Sequence, residues 1–193
     1  KTAQSLEEGK DIVVSVSAKS PDPANNGRLI HLMGQVHTPI EAIKDHELML
    51  SFAGIITLKR EAEMYQWQRS CRKIGEESIC KYKKRWEKDR IRSEKYAEEH
   101  LNPEFLIKSK TIIADIVKIG TFDLSSDLSR KIKPSEKIVS DAPLMNQLPD
   151  GIRARTILYQ GGFYIAHQGI PDPDAPRIGD MKIRFYAARP AMV

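Results

Sequence analysis

The sequence predicts an α+β domain dominated by antiparallel hairpins, with a few short helices. Three observations lead there. Short runs rich in β-branched residues recur at Asp11–Ser17 and Thr111–Ile119. Clusters of Gly, Pro, Asn and Asp separate these runs, as turns require. Two aromatic-rich stretches, Tyr65–Cys71 and Cys80–Trp86, alternate with the period of two that puts every second side chain on one strand face.

In chain order, Asp11–Ser17 reads as a strand, Ser20–Gly27 with its two prolines and Asn-Asn-Gly as turns, and Leu29–His37 as the second strand of a pair. Pro39–His46 reads as a short helix or a loop. Leu48–Leu58 reads as an apolar strand bent or bulged at Gly54. Glu61–Trp86 admits two readings. With period two, Tyr65, Trp67, Arg69 and Cys71 share a face, matched on the return by Cys80, Tyr82, Lys84 and Trp86. Setting Cys71 opposite Cys80 puts Trp67 across from Lys84 and Tyr65 across from Trp86, a favourable cross-strand arrangement. With a period of 3.6, Met64, Trp67, Cys71 and Ile74 also line up. The hairpin is preferred, because aromatics fit strands and Gly75 suits the connecting loop.

Ser93–His100 reads as a helical turn ended by Asn102-Pro103. Thr111–Ile119 is β-branched and apolar, and Gly120 precedes Phe122 and Leu124. Ser125 or Ser126 caps a short helix, Asp127–Ile132. Ser135–Asp150 is interrupted by prolines and irregular. Ile157–Ala166 surrounds Gly161-Gly162, which suggests two strands and a tight turn. Gly169–Gly179 holds three prolines and reads as a loop, and Met181–Tyr186 as a final strand.

With 193 residues, 40% of them hydrophobic, the chain suffices for one domain over 1–193 with a real core. The formal net charge of +5 invites an anionic partner, although a plain solvated surface explains it as well. No apolar run approaches the roughly 20 residues that span a bilayer. Lys1–Gly9 lacks the apolar segment of a signal peptide. The chain starts without Met and ends on an apolar run, Ala191–Val193, so it reads as a piece of a longer protein.

Candidate chemistry is sparse. Cys71 and Cys80 stand nine positions apart without the spacing of a zinc site. In an oxidising compartment they close the hairpin as a disulfide; otherwise they are two thiols. His31 and His37 share a strand face but lack a third ligand. Asp172, Asp174 and Asp180 do not match a calcium loop. No nucleophile elbow, P-loop or dinucleotide fingerprint is present. No catalytic residue, metal or cofactor is therefore expected. On the hairpin reading Lys81, Lys83 and Arg85 point away from the aromatics, opposite Ser70, Gln68 and Gln66. That makes a basic face suited to anionic lipid headgroups, or simply to water. No nucleic-acid recognition motif accompanies it, and nucleic acid is not expected as a partner.

An ordered series of segments carries a family resemblance. It runs from Lys1–Gly9 through Asp22–Gly34 and is sharpest at Leu58–Trp67, with Glu63, Met64, Tyr65, Gln66 and Trp67. It continues through Tyr82 and Trp86, then His100, Leu101, Asn102 and Pro103, then Gly120–Ser125, and closes at Ile178–Phe185 with Gly179 and Asp180. In these segments the chain resembles the large extramembrane domain of the transmembrane protein 43 (LUMA) family. The resemblance implies flanking membrane helices outside this chain. It implies a lumenal position at the endoplasmic reticulum or nuclear envelope in a eukaryote, or a periplasmic one in a bacterium. The lysine- and isoleucine-rich composition suggests a divergent, bacterial member. Both compartments are oxidising, which favours the disulfide.

Three functions are expected from this, in order. The first is a non-enzymatic scaffold or interaction domain at a membrane, partnered by itself or by membrane proteins. The second is a lipid-binding module with an apolar cavity or a basic membrane-facing surface. The third is an envelope-acting hydrolase using His100 or His167 with a nearby carboxylate.

Overall fold

A computed structural model describes residues 13–192. In chain order the strands are β1 (Val14–Ser17), β2 (Ile30–Met33), β3 (Gln35–His37), β4 (Ala42–Asp45), β5 (Leu50–Ala53), β6 (Thr57–Ile74), β7 (Glu77–Glu87) and β8 (Lys110–Ile113). They continue with β9 (Lys118–Ile119), β10 (Phe122–Asp123), β11 (Glu136–Ile138), β12 (Thr156–Tyr159), β13 (Gly162–Ile165), β14 (Met181–Ala188) and β15 (Ala191–Met192). Three single-turn α-helices, Ser126–Ser129, Ala142–Met145 and Asp150–Arg153, lie between β10 and β12. The strand-dominated α+β class holds, and its sheets are mainly antiparallel.

The organising sheet has the order β12-β13-β14-β6-β7. β11 joins the C-terminal half of β14, on Phe185–Ala187, and β8 joins the start of β6, on Thr57–Arg60. Alternation along these strands builds the core. Leu58, Ala62 and Met64 of β6 pair with Ala187, Ile183 and Met181 of β14, all of them buried. Phe52 of β5 covers this face, its ring 5.1 Å from that of Phe185, and Phe163 meets Phe185 edge-on at 5.9 Å. The opposite face is half-solvated, as antiparallel sheets allow. There Lys182 lies 4.1 Å over Trp86, and Arg184 reaches Glu63 at 3.3 Å.

One buried position on the core face is charged. Arg60 is 1% exposed and stands opposite Phe185. Its guanidinium donates to Asp45 Oδ1 at 2.6 Å, to Glu47, and through Nε to the Lys108 carbonyl at 2.9 Å. The Arg60 hydrogen bond, outweighing burial, holds the Glu47 carboxyl below its ordinary value. The pair ties the β4–β5 hairpin to the central sheet.

Several local expectations are corrected. Leu29–His37 is two strands parted at Gly34, where a Cβ would fall 2.7 Å from the Ala18 Cβ. His31 and His37 therefore belong to different strands and sheets. β1 and β2 pair in parallel, across a connection long enough for that geometry. Ile12 and Asp11, expected to open β1, lie outside the described residues, as do Lys1–Gly9 and Val193. Pro39–His46 yields strand β4 rather than a helix or loop. Gly54, at φ 66°, ends β5 instead of bending a longer strand. Thr111–Ile119 divides into β8 and β9, and the supposedly irregular Ser135–Asp150 holds β11 and a helix. The tight turn before β13 is Gln160-Gly161, both at positive φ, so Gly162 already belongs to the strand.

Candidate functional site

β6 and β7 form one long hairpin with the expected register. Cys71 stands opposite Cys80, Trp67 opposite Lys84 and Tyr65 opposite Trp86, which removes the helical alternative. Cys71 and Cys80 are joined as a disulfide with their Cα atoms 4.0 Å apart. Gly75, at φ 66°, makes the turn. β14 accompanies β6 only as far as Met64. Beyond that point the hairpin leaves the sheet as a two-stranded arm.

The root of the arm is secured along the edge that β14 vacates. Tyr65 donates its N–H to the Asp180 carbonyl and accepts from the Gly179 N–H, each at 2.9 Å. Trp67 donates to Asn102 Oδ1 at 2.7 Å and accepts from Asn102 Nδ2 at 2.9 Å, so one side-chain amide replaces a strand. The Asn102 amide also donates to the Ile91 carbonyl at 3.2 Å, and its backbone N–H donates to Ser93 Oγ at 2.7 Å. Arg69 donates its N–H to the Tyr96 hydroxyl at 3.3 Å. On the other face, buried Gln66 donates to the Asp89 carbonyl and accepts from the Ile91 N–H. No further partner for this edge appears past Arg69 among the described residues.

Aromatic packing reinforces the same stretch. Tyr65 and Trp86 rings lie 5.1 Å apart, and Trp86 meets Tyr164 at 6.0 Å. His100 stacks on Tyr82 at 3.8 Å and presents an edge contact with Trp67 at 4.5 Å. Lys84 lies over Trp67, and Arg69 over Tyr96. Offset and edge-on pairs of this kind add about 0.5–1.5 kcal/mol each beyond burial.

Asp180 anchors the loop that seats Tyr65. Its carboxylate accepts from the Tyr164 hydroxyl at 2.5 Å, from the Arg177 N–H at 2.9 Å and from the His167 N–H at 2.8 Å. Burial, and then this hydrogen bond, push the Tyr164 phenol well above its usual range. Gly179, at φ 92°, is required here: a Cβ would fall 2.6 Å from the His167 ring and 2.9 Å from that of Pro103. Gly120, at φ 56°, presses on Ala18, just past β1, and lies apart from the arm.

Of the residues singled out from sequence, Glu63, Met64, Tyr65, Gln66, Trp67, Trp86, His100, Asn102, Pro103, Gly179 and Asp180 thus gather at the root of the arm or in the sheet beside it. The His100 Nδ1 atom is buried and 3.7 Å from Glu99, beyond hydrogen-bonding range. The His167 backbone, not its ring, meets Asp180. Asp172 accepts from the N–H groups of Asp174 and Ala175 in its own loop. Among the described residues no three His, Cys, Asp or Glu side chains converge as metal ligands do.

The free half of the arm is different in kind. Lys81, Lys83 and Arg85 do stand opposite Ser70, Gln68 and Gln66. Arg85 donates to Gln68 Oε1 at 3.1 Å and pairs with Glu87. Lys81, Lys83 and Arg72 have no ion pair among the described residues. Sequence reasoning placed Ile74 only on the helical alternative and missed Ile79; both share this face and are 56% and 50% exposed. A shallow depression of about 620 Å³ lies here, lined by Arg72, Ile74, Ile79, Lys81 and Lys83 among others. The signal was available in the strand alternation, which puts both isoleucines in phase with the lysines.

A family model described as Transmembrane protein 43 matches residues 64–193. Curated relatives named Transmembrane protein 43 are 32% identical in Pongo abelii and Mus musculus and 31% identical in Homo sapiens, each over 97% of this chain and 47% of the relative. The chain thus spans about half the length of the curated relatives it matches. No solved structure matches it.

Proposed function

This chain belongs to the transmembrane protein 43 family, and from that premise we propose that it is a non-enzymatic interaction module, tethered to a membrane by parts of the protein outside this chain, whose docking element is the β6–β7 arm. No helix of the described residues is long and apolar enough to cross a membrane. The observation that carries the reading is the distribution of charge. Arg69–Arg85 holds seven Lys and Arg against two Glu, a net of +5, equal to that of the entire chain. Of these, Arg72, Lys73, Lys81 and Lys83 sit on the exposed ribbon past Arg69, where they are presented to a partner.

Two further features support the reading. A disulfide persists in a lumen or periplasm and is rare in the cytosol, so the module faces the non-cytosolic side of its membrane. The His100 ring is occupied in packing against Tyr82 and Trp67, and His167 meets the Asp180 carboxylate through its backbone N–H, which favours a structural over a catalytic use of both. Photocrosslinking from position 76 of the full-length protein in its native membrane tests the proposal. The expected result is a discrete adduct that disappears when Arg72, Lys73, Lys81 and Lys83, all exposed, are changed to Glu with the probe left in place. Unchanged adducts and assemblies after that charge reversal contradict it.

A further inference from the structure

We infer that the free half of the arm docks on an anionic phospholipid surface, laying Arg72, Lys81 and Lys83 on the phosphates while Ile74 and Ile79 enter the acyl boundary. This rests on the arm being a docking element, and it names the partner.

Arg72 stands opposite Ile79, Ser70 opposite Lys81 and Gln68 opposite Lys83, while Ile74 is in phase with them one pair nearer the turn. From the turn inward the face therefore carries Ile74 beside Glu77, then Ile79 beside Arg72, then Lys81 and Lys83. This order matches the layering of a bilayer surface, with acyl chains deepest and phosphates above them. The disulfide lies on the opposite face and does not cover the isoleucines; the ribbon past Arg69 extends roughly 17 Å. The depression of about 620 Å³ between these side chains is open and mixed in polarity, suiting a headgroup with the start of its acyl chains. Glu77, opposite Ile74, is the acid on this face, and it limits how deeply the turn enters.

An acidic protein segment satisfies the lysines equally well but leaves two half-exposed isoleucines unexplained at the leading end. Lipid uses both. Each basic residue near an anionic surface strengthens binding roughly fivefold, and each partly buried isoleucine by a similar factor.

The test is flotation of the intact chain with vesicles of phosphatidylcholine alone and of phosphatidylcholine mixed with phosphatidylserine, at low and physiological salt. Binding is expected only to the mixed vesicles and weakens with salt. K81E/K83E abolishes it. I74S/I79S lowers it by roughly tenfold or more while leaving the salt dependence in place. Glu77→Gln strengthens it. Ile79→Trp gives an emission that shifts to the blue with mixed vesicles and stays put with neutral ones. All of these positions are exposed, and circular dichroism verifies that each variant is folded. Absence of binding to mixed vesicles overturns the inference. So does I74S/I79S binding like the parent, which removes the acyl contact, or the parent chain preferring soluble polyglutamate to the vesicles, which assigns the arm to an acidic protein. In those cases a retained crosslink from position 76 leaves the interaction module standing while the lipid partner falls.

Discussion

The two halves of the β6–β7 hairpin share a strand face and a register yet live in opposite environments. From Leu58 to Gln66 the even-numbered face of β6 is buried, under β5 and the segment that follows β7. From Gln68 to Ile74 the same face is progressively bare. In the rooted half every outward backbone group of Tyr65 and Trp67 has a partner. In the free half the cross-strand ladder and one disulfide remain. An isolated two-stranded ribbon is marginal in water, so the disulfide supplies locally what packing supplies at the root. Packing therefore dictates the residues of the rooted half, whereas partners can dictate those of the free half.

That contrast can be broken from the root upward. The largest effect is expected at Asp45→Ala, which leaves the buried Arg60 guanidinium without its buried carboxylate partner. Losing one partner of a buried pair costs about 3–5 kcal/mol, read as a drop in urea midpoint. Asn102→Ala comes next. It strands the Trp67 N–H and carbonyl, at about 2–3 kcal/mol, and speeds amide exchange at Trp67 and Arg69. If the urea midpoint stays put, the side-chain amide is not what holds the arm in place.

Cys71→Ser with Cys80→Ser is expected to cost less. Constraining a loop of this size contributes about 2–3 kcal/mol by chain entropy. Because the free half can fray while the body stays folded, the global loss is capped at about 1–2 kcal/mol. The smallest effect is that of pH. The Glu47 and Glu61 carboxyls sit below their ordinary 4.5, held there mainly by Arg60 and by Lys59 respectively. The unfolded chain takes up these protons first. Stability from both is then full above about pH 4.5 and declines as pH falls through the lower folded values. Both groups are near solvent, so acid unfolding curves should move only slightly between parent and Glu47→Gln.

How far the sequence foretold the molecule follows the same division. The hairpin was legible to the residue, because two cysteines, one glycine and alternating aromatics all demand one register. The parallel pairing of β1 with β2 was not, since neither strand's composition encodes direction. Nor was β4, where Pro39 and the charged Lys44–Glu47 run obscure a four-residue strand whose Ile43 and Asp45 point inward. Arg60 hid in plain alternation: its phase with Leu58 and Ala62 marks it as buried, but its partner comes from another hairpin. Asn102 replaces a strand 35 residues away, a contact with no local sequence signature. The lysines of the arm stood out by charge, and Ile79 beside them was overlooked because an isolated apolar residue in a strand normally faces a core.

The most direct test of the division between the halves is amide hydrogen exchange along residues 57–87 of the intact, oxidised chain. Amides of Leu58–Trp67 that bond across the sheet should exchange only with global unfolding, while those of Ser70–Lys81 should open at least about tenfold more often. Uniform protection along the hairpin, or a protected tip above an exchanging root, contradicts a ribbon rooted at one end and free at the other.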